Sequence, residues 1–223
     1  SDLEDGFDYC YDKRLYDRLR GRDFVGVKNH LKADVGYQRK LVRFLENHDE
    51  PRAASAFEKP HHVPAAALTF LSPGLRFFHQ GEFEGKRIKI SPHLVRGPDE
   101  ATDPELQTLY TKLLEMLKDP IFHDGSWELL EIERAWSDNW SSDCLVAWTW
   151  KDSAGRIVLC IVNLADHEAQ GTILIPDWLR AGAERSWVNR WTGDDFQMPT
   201  EDWGRGAWTL YAQPSQVFVV ESK

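Results

Sequence analysis

Residues 44–52 read FLENHDEPR. Phe44 and Leu45 are apolar, and they run straight into Glu46, Asn47, His48, Asp49 and Glu50 before Pro51 interrupts the backbone. Four successive positions, Asn47 to Glu50, offer an amide, an imidazole and two carboxylates. Groups of this kind match a polyhydroxyl ligand, because hydroxyls both donate and accept hydrogen bonds. A carboxylate held away from water also opposes positive charge that develops in a transition state. Two other stretches add to the set: Gly81-Glu82-Phe83-Glu84, and Tyr11-Asp12. Arg52 either reaches such a ligand or pairs with a neighbouring carboxylate. A plainer reading stands beside this one. Asn47 and Asp49 are good helix N-caps, with Pro51 near the first turn, and Asp12 reads first as a cap.

The elements around these residues alternate. Gly6–Tyr11 is short and aromatic, a strand by its pattern. Asp12 then opens a segment in which Leu15, Tyr16 and Leu19 share a helical face. Lys40–Glu46 reads as a second strand, and His62–Leu71 as a buried helix. Ser72-Pro73-Gly74 makes a turn, and Leu75–His79 a third strand. The clearest helix begins at Asp103 as N-cap with Pro104 at the first helical position. Leu106, Leu109, Tyr110, Leu113, Leu114 and Leu117 form its stripe, and Asp119-Pro120 ends it. Strands alternating with helices predict parallel βα units, whose reactive side chains gather at the carboxyl ends of the strands. Asn47–Glu50, Glu82 and Asp12 all follow strands and belong at that end.

The chain changes character near His123–Ser126. All ten tryptophans lie at or after Trp127, and seven of the eight histidines at or before His123. The second part shows short apolar runs at Trp127–Ile132, Leu145–Trp150, Ile157–Asn163, Gly171–Ile175, Trp187–Arg190, Trp208–Tyr211 and Gln216–Glu221. Asp152-Ser153-Ala154-Gly155 reads as a hairpin loop. This pattern predicts an antiparallel β-sandwich. The expected organisation is residues 1–123 as an α/β unit and 124–223 as the sandwich. Trp148 and Trp150 share one strand face. Most tryptophans are expected to fill the core, while Trp136 and Trp140, flanking Ser-Asp-Asn, suit a loop that stacks on sugar rings.

Composition removes several classes. A net charge of -9 argues against a nucleic-acid partner, which needs clustered Lys and Arg. No apolar run approaches a membrane span. Cys10, Cys144 and Cys160 are scattered and read as free thiols. His61-His62 are adjacent, no H-E-x-x-H or Cys/His ligand set exists, and neither metal nor cofactor is expected. No signal peptide opens the sequence, which favours the cytoplasm.

Together these residues resemble the α-amylase family, glycoside hydrolase family thirteen. Phe44-Leu45-Glu46-Asn47-His48-Asp49 is similar to the F-x-x-N-H-D motif after the seventh barrel strand. Gly74 to Glu82 resembles the eighth-strand segment: Gly74, Gly81 and Glu82 fit, while Arg76 stands where proline is common and His79 where tyrosine is common. Gly6 to Asp12 resembles the sixth strand, and the Trp-rich part is placed like the family's C-terminal sandwich. The resemblance implies a partial (β/α)8 TIM barrel of about three βα units followed by an all-β sandwich. It implies a retaining glycosidase or transglycosylase acting on an α-glucan or a small α-glucoside. Asp49 becomes the transition-state-stabilising carboxylate, His48 a donor to the same sugar, and Asn47 their orienting group; apart from the resemblance, Glu82 and Glu84 either line the mouth, near Arg52, or are simply solvated.

The family's nucleophilic Asp and acid/base Glu, about 5–5.5 Å apart in retaining enzymes, have no counterpart. Asp2, Glu4 and Asp5 precede the sixth strand and none sits in a G-x-R-x-D context. A whole barrel takes about 250 residues. The chain is therefore expected to be the C-terminal part of a larger enzyme and inactive alone. Its open sheet edges are expected to pair with a second copy or with the missing N-terminal barrel part. The rival expectation is a non-catalytic carbohydrate-binding or interaction module.

Overall fold

Strand β1 (Cys10–Tyr11) passes into helix α1 (Lys13–Arg20) through Asp12, whose carboxylate accepts the Leu15 amide N–H at 3.2 Å. Leu15, Tyr16 and Leu19 line the buried face of α1, as their spacing predicts. Two further helices follow that the apolar pattern does not announce, α2 (Phe24–Leu31) and α3 (Val35–Arg39). Each is started by an aspartate cap: Asp23 accepts from Gly26 N and Asp34 from Tyr37 N. Strand β2 (Leu41–Arg43), helices α4 (Ala53–Ala56) and α5 (Lys59–Leu71), strand β3 (Leu75–Arg76) and helices α6 (Pro104–Leu117) and α7 (Ile121–Asp124) complete this part. The computed structural model describes residues 6–91, 96–181 and 184–223. Asp2, Glu4 and Asp5 lie outside the described residues.

The three strands form one parallel sheet in the order β1-β2-β3, with Tyr11 opposite Val42 and Arg43 opposite Arg76. The sheet does not close on itself. The paired segments are shorter than the apolar runs suggest, because the backbone leaves the ladder after Arg43 and after Arg76 to enter loops. Tyr9, Tyr11 and Leu75, on or next to the two outer strands, are about half exposed. In α6 Leu106, Leu109, Tyr110 and Leu113 of the expected stripe are buried, Met116 takes the inward place in the last turn, and Leu114 and Leu117 are half-buried.

From Ser126 onward the chain is antiparallel. Strands β4 (Ser126–Leu130), β5 (Ile132–Arg134), β6 (Leu145–Lys151), β7 (Ile157–Asn163) and β8 (Ala169–Leu174) are followed by the short helix α8 (Asp177–Arg180). Strands β9 (Trp187–Asn189) and β10 (Asp195–Phe196), helix α9 (Thr200–Arg205), and strands β11 (Ala207–Ala212) and β12 (Val217–Ser222) end the chain. A six-stranded sheet, β10-β9-β12-β7-β6-β4, faces a three-stranded one, β11-β8-β5. The run expected over Trp127–Ile132 is divided between the two sheets. Asp152 closes the β6–β7 hairpin by accepting from Ala154 N and Arg156 N, and Gly155 adopts φ +86° there.

One apolar cluster lies between the sandwich sheets, around Leu145, Leu159, Ile161, Ile173, Trp187 and Trp203. A second joins the two parts: it runs from Leu15 and Phe44 through Ala65–Leu68 of α5 and Tyr110 of α6 to Trp148, Trp150 and Val219. The alanines of α5 allow close approach to the sheet. Trp148 and Trp150, on one face of β6, both donate their indole N–H to the Leu71 carbonyl, at 3.1 and 2.7 Å. Arg76 donates to the carbonyls of Phe70, Ser72 and Phe122. Apart from that of Phe122 in α7, these carbonyls lie at the end of α5, where they have no partner within the helix. This bonding gives the Arg76 side chain its role in the fold.

Candidate functional site

Beyond β2 the chain stays buried through Phe44 and Leu45, and Phe44 stacks on Tyr16 at 5.2 Å between ring centroids. Glu46 then turns inward. Its carboxylate accepts from Ala53 N at 2.7 Å and from Arg52 Nη1 at 2.5 Å. This pair ties the base of a loop over residues 47–51. Inside the loop the Asn47 side-chain oxygen accepts from Asp49 N and Glu50 N, both at 2.9 Å. That is an Asx turn, not a helix cap: α4 begins at Ala53, and Glu46 satisfies its first N–H from a distance. The turn holds His48 and Asp49 outward, with their side chains 58% and 76% exposed and His48 Nε2 3.3 Å from an Asp49 oxygen. Lys89 Nζ donates to the Asp49 carbonyl, and Glu50 pairs with Lys13 at 3.1 Å.

Beside this loop lies a cleft of about 340 Å³, lined by Asn47, His48, Arg52, His79, Lys86 and Lys89 among others. Asn47, His48 and Arg52 thus meet in one place, next to Asp49. Arg52 is buried, and besides Glu46 it donates to the carbonyls of Gln80 and Ile88. His79 Nδ1 lies 3.0 Å from Glu46. Glu82 is placed differently. Only 2% exposed, it accepts from His79 N at 3.0 Å and from the Tyr110 hydroxyl at 2.8 Å, and it does not line the cleft. Burial, with the charge of Glu46 adding to it, pushes its pKa up to about 8. Behind Tyr110, His62 Nε2 lies 2.9 Å from the hydroxyl, and burial lowers its pKa to about 4.

Asp12 faces inward too, against His30 Nε2 at 2.8 Å and the Arg43 guanidinium. Arg43 also donates to Gln38 Oε1 and the Pro73 carbonyl. The carboxylate is lowered from its ordinary value although burial opposes this, because His30, Arg43 and the Leu15 N–H all favour the charged form. Trp136 and Trp140 belong to the sandwich, on the connection from β5 to β6, and are 55% and 63% exposed. The Arg134 guanidinium lies over the Trp140 ring, 3.2 Å from its centroid.

Residue type and spacing do not single out Glu46, His79, Lys86 or Lys89 as site residues. Glu46 and Arg52 carried a signal, opposite charges at either end of a loop ending in proline. Lys86 and Lys89 sit in the basic run Lys86-Arg87-Ile88-Lys89, which follows the glycine-flanked Gly81–Gly85 turn.

No protein-family model matches the sequence, and no curated protein sequence matches it. Solved structures do. The chain is similar to a noncanonic maltogenic α-amylase from Thermotoga neapolitana, with a TM-score of 0.70 and 18% identity over 98% of this chain and 52% of that one. It is similar to an α-amylase from Geobacillus thermoleovorans complexed with acarbose, with a TM-score of 0.69 and 17% identity over 98% and 48%. A cyclomaltodextrin glucanotransferase matches with a TM-score of 0.64 and 18% identity over 93% and 42%. The chain spans about half the length of these structures and has the fold of that half.

Proposed function

We propose that this chain is the C-terminal part of an α-amylase-family enzyme, carrying barrel strands six to eight and the following sandwich. In this reading β1, β2 and β3 are those strands, and their open edges are covered by the rest of the barrel or by a second copy. The whole enzyme cleaves or transfers α-glucosidic bonds through a covalent glycosyl intermediate, with inversion at each of two steps. The nucleophile and the acid/base carboxylate come from outside this chain. Asp49 holds hydroxyls of the sugar under attack and opposes the oxocarbenium-like charge. His48 donates to the same sugar, and Asn47 fixes both through its two backbone hydrogen bonds.

The observation that carries the reading is the Asn47 turn. It is tied by two backbone hydrogen bonds, it stands at the carboxyl end of a parallel strand, and it presents an imidazole and a carboxylate to solvent beside a cleft. A capping role would leave Asp49 bonded to a helix N-terminus, whereas its carboxylate contacts His48. The test is affinity electrophoresis in gels containing soluble starch. The chain should be retarded, and Asp49→Asn should weaken retention about tenfold, the loss of one charge-assisted contact. Unretarded migration of the folded chain would remove the reading. The chain alone should show negligible hydrolysis of maltotriose, and turnover abolished by Asp49→Asn would overturn the division of catalytic groups.

The exposed Trp136 and Trp140 favour a second reading, in which the sandwich is a carbohydrate-binding module and their ring faces stack on glucose units. If it holds, Trp136→Ala lowers starch retention while Asp49→Asn does not.

A further inference from the structure

The cleft beside Asn47 is lined by charge of one sign. Lys86, Lys89 and Arg52 contribute to it, the rings of His48 and His79 stand beside them, and among the described residues no carboxylate lines it. This contrasts with the chain as a whole, whose net charge is -9. The acidic groups nearby are engaged elsewhere. Glu46 is bound to Arg52 and to Ala53 N. Glu82 is buried against Tyr110 and His79 N, and with a pKa near 8 it is mostly uncharged at pH 7. Glu100 accepts from the Arg87 and Ile88 amides. Asp49 stands at the rim, against His48.

The cations are engaged only in part, since Arg52 is paired with Glu46 and Lys89 donates to the Asp49 carbonyl, but donors remain. Among the described residues Lys86 Nζ has no ion pair and no hydrogen bond. Arg52 uses Nε and Nη1 on Ile88, Glu46, Gln80 and His79 Nδ1, while Nη2 makes no hydrogen bond among the described residues. Gly81 lets these two groups sit side by side. It adopts φ +91°, and a Cβ on it would fall 2.8 Å from Lys86 Cδ and 2.9 Å from Arg52 Nη2. A buried guanidinium with an unused N–H, a flexible ammonium next to it and two imidazoles on the wall make a receptor for a compact anion. Water is partly excluded there, and each such contact is stronger than on an open surface.

We propose that this cleft receives a phosphate ester carried by the sugar ligand, so that the substrate class is a phosphorylated α-glucoside. Arg52 Nη2 and Lys86 Nζ donate to the phosphate, His79 and Lys89 border it, and the sugar hydroxyls reach the His48–Asp49 rim. The inference rests on the reading of that rim as a sugar contact.

The test is calorimetric titration of the chain at low ionic strength with glucose 6-phosphate, inorganic phosphate and maltose. Glucose 6-phosphate should bind about tenfold or more tightly than maltose, and added salt should weaken it selectively. Lys86→Gln, which keeps most of the stem, should erase the advantage, and Lys89→Gln should reduce it. Circular dichroism confirms that each variant is folded, and the salt titration of the unaltered chain stands independently of both. Equal affinity for glucose 6-phosphate and maltose overturns the proposal, as does an advantage that survives both lysine changes. Inorganic phosphate binding as tightly as glucose 6-phosphate overturns the sugar-ester part. The two readings fail separately. Maltose binding that depends on Asp49 without a phosphate preference sinks this inference alone. A Lys86-dependent phosphate preference that ignores Asp49→Asn supports the anion site and sinks the role given to Asp49.

Discussion

Between residues 6 and 91, the side chains of Asp12, Arg43, Glu46, Arg52 and Glu82 are buried, along with His30, His61 and His62. From Ser126 to Lys223, no Asp, Glu, Lys or Arg among the described residues is buried; the buried polar groups there are Asn, Ser and Thr. The charges of the sandwich stay nearer the surface, as in the cluster where Arg156 meets Asp152 and Glu221 and, with Arg190, reaches Asp119 of the α/β part. Removing a charge from water costs several kcal/mol unless partners replace the solvent. The α/β part accepts that cost and meets it with directional bonds. Those bonds determine where a loop or a side chain must sit. The sandwich is held by aromatic and aliphatic packing, which stabilises without aiming anything. The difference locates the site: geometry precise enough for recognition is built where buried charges are held by directional bonds.

The strongest way to break this comparison is to remove one buried partner. Arg52→Ala leaves the Glu46 carboxylate without its main counter-charge. A loss of about 3–5 kcal/mol is expected in urea unfolding, against about 1 kcal/mol for Arg156→Ala in the part-exposed cluster. Equal losses would mean that burial of charge does not distinguish the two parts.

Glu82 sharpens it through pH. Its folded-state pKa of about 8 lies above the ordinary 4.5. The folded chain therefore holds a proton that the unfolded chain releases. The stability tied to that proton is complete below pH 4.5 and is lost as pH rises toward 8. Glu82→Gln should flatten this decline by up to a few kcal/mol between pH 5 and 8, measured as the change in urea midpoint. A slope unchanged in the variant would assign the pH dependence elsewhere.

Smaller effects belong to the packed tryptophans. Trp150→Phe removes one of two donors to Leu71 and some buried area, and about 1–3 kcal/mol should be lost. Trp136→Ala, at an exposed position, should change stability by about 0.5 kcal/mol or less.

Much of the frame is legible in the residues. Helix α6 is announced by its Asp-Pro start and its leucine stripe, and the β6–β7 hairpin by Asp152 and Gly155. Helices α2 and α3 are not, since each has few buried apolar residues and only its capping aspartate as a signal. At the site, Asn47-His48-Asp49 is legible as a polar knot at a strand end. The inward turn of Glu46 is not, because its partner Arg52 becomes adjacent only when the loop closes. Glu82 misleads for a similar reason: its surroundings read as an exposed turn, while Tyr110, which buries it, arrives with α6. Lys86 and Lys89 belong to no periodic element, so nothing in their pattern places them in a cleft.

The indoles on the Leu71 carbonyl give the molecule an optical property. No tryptophan occurs before Trp127, so the α/β part contains no indole fluorophore of its own. Trp148 and Trp150 nevertheless end in its helix α5. Emission from these two rings reports whether the parts are docked, and their N–H groups gain access to water when the contact opens. Loosening of the α/β part should thus register as a red shift from the neighbouring sandwich before the sandwich itself has unfolded.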